Sequence, residues 1–69
     1  MMQKVTIYVN DKPVVIYNGL HVKHALISYD YSVYQACAQG EMTIEDERGF
    51  KVGLEGALND GAKLYTRKR

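Results

Sequence analysis

From Lys4 to Asn10 the chain alternates: Val5, Ile7 and Val9 fall on one side, and Lys4, Thr6, Tyr8 and Asn10 on the other. A period of two is the signature of a strand with one buried face. Asn10-Asp11-Lys12-Pro13 is turn chemistry. Val14–Tyr17, apolar at every position, predicts a second strand with both faces covered or adhesive, closing a hairpin on the first. Asn18-Gly19 ends it. Val22, Ala25, Leu26 and Tyr29 then recur at i, i+3, i+4 and i+7, one face of a helix over 22–29. Lys23, His24 and Ser28 lie on its other side. Asp30 or Ser32 can cap a second short helix, Ser32–Gln39, with Val33, Ala36 and Cys37 inward and Gly40 as the terminating glycine.

The period of two returns at Met42, where Met42 and Ile44 alternate with Thr43 and Glu45. Asp46-Glu47-Arg48-Gly49 reads as a hairpin turn, and Phe50–Leu54 as a short returning strand. Gly56 and Asn59-Asp60-Gly61 punctuate a loop around Ala57-Leu58. A last strand runs from Lys63 to Arg67 with Leu64 inward. The order β-β-α-α-β-β-β predicts an α+β domain spanning residues 1–69. Its expected form is a mixed four- to five-stranded sheet packed on one main helix plus a short second helix. An N-terminal hairpin, a crossover helix and a final strand beside the first favour a β-grasp (ubiquitin-like) sheet. The competitor is another α+β topology built from the same elements.

Composition narrows the function more than the fold. The 69 residues are 46% hydrophobic and 25% charged, with a formal charge of +1. That is a folded chain rather than a disordered one, with no global attraction to nucleic acid or anionic membrane. No apolar run approaches the ~18 residues of a membrane span, and no signal peptide is visible, so a soluble, cytoplasmic protein is expected. The single cysteine, Cys37, excludes an internal disulfide, a four-thiolate zinc site and a four-thiolate iron–sulfur cluster. Phosphate-cradling glycine loops, nucleophile elbows and His-Glu-x-x-His are absent. The expectation is a protein without catalytic residues, metal or cofactor.

Ile7-Tyr8-Val9-Asn10-Asp11, the Asn18-Gly19-Leu20-His21-Val22 helix start, Ala25-Leu26 and the later Asp60-Gly61 together resemble the ThiS/MoaD-like sulfur carriers. The likeness covers most of the chain at the level of pattern. It implies a β-grasp fold and, for a carrier, a Gly-Gly tail whose carboxylate is activated and thiolated. Two departures stand out: His21 occupies the position where such proteins often carry Thr, and the sequence closes on Arg67-Lys68-Arg69. As it stands the chain resembles a carrier without the carrier's tail, and a longer native C-terminus would reverse that expectation. TGS domains of RNA-linked enzymes look similar as well.

Five features invite chemistry, and four have a plain explanation. Cys37 reads as a small apolar residue of the second helix. His21 and His24, one turn apart, are half of a metal site without its other half. Glu41, Glu45, Asp46 and Glu47 read as a solvated turn. Tyr29, Tyr31 and Tyr34 read as packing between the helices. The fifth is a face. With Val5, Ile7, Val9, Val14, Ile16 and Leu64 turned toward the helix, the opposite side of the sheet carries Lys4, Thr6, Tyr8, Val15, Tyr17, Lys63, Tyr65 and Arg67. Tyrosines beside cations suit protein interfaces and also stack single-stranded RNA, while the same residues are good strand formers. The expected binding residues are Lys4, Tyr8, Tyr17, Lys63, Tyr65 and Arg67. The expected partner is a protein, with nucleic acid second, and the chain itself a monomer or weak dimer.

Overall fold

A computed structural model of the protein describes residues 3–69. It has six elements: β1 (Lys4–Val9), β2 (Lys12–Tyr17), α1 (Val22–Tyr29), α2 (Tyr31–Ala38), β3 (Met42–Asp46) and β4 (Lys63–Lys68). The four strands form one mixed sheet in the order β2-β1-β4-β3. β1 is antiparallel to β2 and parallel to β4, and β3 is antiparallel to β4. Both helices lie on one side.

The β1–β2 hairpin turns on Asn10 and Asp11, whose φ angles of 51° and 69° are left-handed. Two such residues between paired Val9 and Lys12 make the mirror-image turn that matches strand twist. Asn10 also joins the two halves of the sheet. Its side-chain Oδ1 accepts from the Thr66 amide (3.0 Å), and its Nδ2 donates to Thr66 Oγ1 (2.9 Å). At the other end of the same seam, the Asp60 carboxylate accepts from the Thr6 amide at 2.8 Å, and the Gly61 amide donates to the Thr6 carbonyl at 2.8 Å. Asp60-Gly61 thus extends the β1–β4 pairing beyond the strand, with Gly61 at φ 84° where a side chain would be strained.

Ile7, Val9, Val14, Ile16, Ile44 and Leu64 from the sheet meet Val22, Ala25 and Leu26 from α1 in the core, joined by Leu58 from the loop before β4. Asp30 ends α1 and caps α2, its carboxylate accepting from the Ser32 amide (3.0 Å) and hydroxyl (2.7 Å). These bonds hold the Asp30 carboxyl below its ordinary value. α2 closes with the Gly40 amide on the Cys37 carbonyl and the Glu41 amide on the Ala36 carbonyl, Gly40 having φ 81°. That is the paired-bond glycine termination expected there.

One expected strand is not formed. Residues 50–54 pair with β3 at one isolated bridge, Glu45 with Lys51, and form no strand. The chain then leaves the sheet because its carbonyls are needed elsewhere. Leu54 and Gly56 carbonyls accept from the Lys23 and Val22 amides, serving the start of α1 where His21 provides no side-chain cap. Gly56 sits close enough to Val22 that an added Cβ would lie 3.3 Å from its Cγ2.

Candidate functional site

Alternation along the strands delivers the expected outer face. Lys4, Val15, Tyr17, Lys63 and Arg67 are exposed, and Thr6, Tyr8 and Tyr65 are half-buried. Their registers divide the face into two groups. Lys4 is the direct cross-strand partner of Tyr17, and its Nζ stands 5.5 Å from the centre of the Tyr17 ring. Thr6 and Val15 are the next pair along. Exposed, such a cation–π contact contributes about 0.5–1 kcal/mol and holds the ring in place. Val15 and Tyr17 are 59% and 44% exposed, large apolar side chains left open on an edge strand.

The second group lies toward β3. Tyr8 partners Lys63, and Tyr65 sits directly beside Glu45. Tyr65 donates its hydroxyl proton to Asp11 Oδ1 at 3.3 Å. Arg67 Nε bonds Glu45 Oε1 at 3.0 Å. The register puts Tyr17 level with Lys4, four residues from Tyr8 and so about 13 Å along the strand. Tyr8 and Tyr65 therefore share one end of the face, and Tyr17 with Lys4 holds the other. Sequence reading did not foresee Asp11 and Glu45 as partners on this face. The paired register of β3 and β4, invisible to a strand-by-strand pattern, brings Glu45 there.

The other candidates resolve into structure. At the start of α1 the His21 amide donates to His24 Nδ1 at 2.9 Å, and the rings stack 5.8 Å apart. Lys23 Nζ and Glu55 Oε1 form an ion pair at 2.7 Å. The Lys23 bond, aided by charge from both histidines, lowers the Glu55 carboxyl from its ordinary value, and Lys23 is raised in turn. Among the described residues no three His, Cys, Asp or Glu side chains gather as metal ligands. The acidic group is a turn: Asp46 Oδ1 accepts from the Arg48 amide (2.9 Å) and the Phe50 amide (3.0 Å). Cys37 packs against the core and lines a shallow recess with Met42, Ile44, Val52 and Leu54, and burial pushes its thiol up, away from the reactive thiolate. Tyr29 and Tyr34 pack on the core, Tyr29 also meeting Asn10 Nδ2 through its hydroxyl (3.4 Å), whereas Tyr31 is exposed.

No family model and no curated protein matches this chain. Among the described residues no helix is long and apolar enough to cross a membrane.

Proposed function

We propose that this chain is a non-enzymatic β-grasp module, akin in pattern to the ThiS/MoaD-like proteins, that docks on a protein partner through the uncovered face of its sheet. The order β2-β1-β4-β3, with a parallel β1–β4 pair at the centre and a helix following the hairpin, supports the β-grasp reading. The observation that carries the docking role is one-sided coverage. Both helices pack on one face, and the other presents exposed Val15, Tyr17, Lys4 and Lys63 with half-buried Tyr8 and Tyr65. Ordered tyrosines next to cations lose little freedom on binding and offer both apolar area and donors. Arg67 contributes less than its charge suggests, because Glu45 already holds it.

An RNA-contacting role has less support. Arg69 donates to the Gly40 carbonyl (3.2 Å) and Arg67 to Glu45, so two of the three terminal cations are engaged within the fold. The docking role is tested by capturing partners from the producing cell with wild type and with a Lys4→Ala/Tyr17→Ala double variant. Both side chains lie outside the core. The expected result is a partner that is retained by the wild type, lost by the variant, and cross-linked by a photoreactive group at position 17. Equal recovery of every species by the two proteins overturns the reading.

A further inference from the structure

The sheet has one edge with directed, unused bonding groups, and their arrangement specifies an occupant. β2 bonds to β1 through Lys12, Val14 and Ile16, partners of Val9, Ile7 and Val5. The Asn18 amide on the Gln3 carbonyl continues that parity. The backbone groups of Pro13, Val15 and Tyr17 therefore point away from the sheet. Pro13 has no N–H. The Tyr17 carbonyl already accepts from the Leu20 amide at 3.3 Å. Among the described residues nothing bonds the remainder: the Val15 N–H and C=O, the Tyr17 N–H and the Pro13 C=O.

We propose that β2 pairs antiparallel with β2 of a second copy of this chain, about a two-fold axis through Val15. In that register Val15 lies opposite Val15 of the second copy, and Tyr17 opposite Pro13. Each Val15 amide donates to the other's Val15 carbonyl, and each Tyr17 amide donates to the other's Pro13 carbonyl. The donor that Pro13 lacks would have faced the one carbonyl that Leu20 already occupies. Every outward group is matched and none is left over. Moving the axis to residue 14 strands the Val15 carbonyl opposite Pro13, and moving it to residue 16 sets the Val15 amide against the Tyr17 carbonyl that Leu20 already occupies. Proline on an edge strand commonly blocks such pairing. Here its missing donor coincides with a satisfied acceptor.

The side chains agree with the backbone. On the outer face the exposed Val15 would meet its own copy, and the exposed Tyr17 ring would lie against Pro13. Residues 13–17 carry no charge, and Lys12 falls opposite Asn18, so the two Lys12 side chains sit at opposite ends of the contact. A single strand pair buries less than the ~1,000 Å² of a stable interface, so association is weak and concentration-dependent. The inference rests on the edge and not on the docking face. The two-fold places both outer faces on the same side, giving one sheet of eight strands.

Sedimentation equilibrium from about 10 μM to about 1 mM tests it, that range bracketing weak association. The wild-type mass should climb toward two chains. Val15→Lys and Val15→Glu, both at an exposed position, should each stay at one chain because like charges face each other across the axis. An equimolar mixture of the two variants should associate again. A wild type that remains a single chain at the top of the range overturns the proposal. So does a Val15→Lys protein that associates as wild type does. A mixture that stays monomeric while wild type pairs overturns the Val15-centred register. Circular dichroism of each variant, expected to match wild type, confirms that any loss is one of pairing and not of fold.

Discussion

The two edges of this sheet are built from strands of similar length but are finished differently. Along β3 the outward Ile44 carbonyl and Asp46 amide are taken up by the segment that follows it. The Asp46 amide donates to the Phe50 carbonyl, and the Val52 amide to the Ile44 carbonyl, both at 2.9 Å. Asp46 fixes the reversal by accepting two further amides. Along β2 no such segment returns, and Val15 and Tyr17 keep both side chains and amides toward solvent. What separates a closed edge from an open one is thus a three-residue return held by a single aspartate. Closure is a local property that a sheet can grant to one side and withhold from the other.

The largest predicted effect strikes the seam that joins the two edges. Asn10→Ala removes two bonds to Thr66 and places a Cβ residue without a compensating amide at φ 51°. The expected loss is about 2–4 kcal/mol in denaturant unfolding, a large part of the stability of so small a domain. Amides at both edges should lose protection together. If the β1–β2 hairpin alone is affected, the seam does not couple the halves. A smaller effect, about 1–2 kcal/mol, is expected for Asp46→Ala, which frees the Arg48 and Phe50 amides. Exchange at the Val52 amide should then accelerate toward that of Val15, turning the closed edge into an open one. Unchanged Val52 exchange would show that the return holds without its aspartate.

The smallest effect concerns the continuation of that return, where Glu55 meets Lys23. Glu55 is lowered in the folded state, so its contribution is present above its ordinary value of 4.5 and is lost as pH falls through the lowered folded value. Lys23 is raised, so its contribution holds below 10.5 and is lost as pH rises through the raised value. Both groups are open to solvent, so the slope should be slight and should flatten in added salt. Glu55→Gln should remove the acid-side slope attributable to this pair in Tm against pH. An identical profile for the variant would assign that slope to other carboxylates.

Much of this was legible in residue order. Strict alternation gave β1 and β4 their buried faces, and Val22, Ala25, Leu26 and Tyr29 marked the inward side of α1. Of the two candidate caps, Asp30 and Ser32, the first opens α2 one residue earlier than expected, and Gly40 marks its end. β2 begins two residues earlier than its apolar run suggested, because Lys12 and Pro13 pair with Val9 and Tyr8 once Asn10 and Asp11 alone make the turn. The returning strand at 50–54 misled, since pattern cannot show that Leu54 and Gly56 carbonyls are committed to the α1 amides. Leu58 enters the core from a loop that has no period to betray it. The outer face was readable as a set of residues. Its division into a Lys4–Tyr17 end and a Tyr8–Tyr65 end was not, because division depends on register between strands far apart in sequence. The same holds for the open edge, which appears only once the parity of β2's bonds is known.

The contrast between the edges is tested most directly by amide exchange measured residue by residue at two protein concentrations, about tenfold apart and bracketing weak self-association. The Val15 and Tyr17 amides should exchange freely in dilute protein and slow as concentration rises, while Asp46 and Val52 stay protected at both. Val15 and Tyr17 amides that are protected in dilute protein, or whose exchange is indifferent to concentration, would contradict the account.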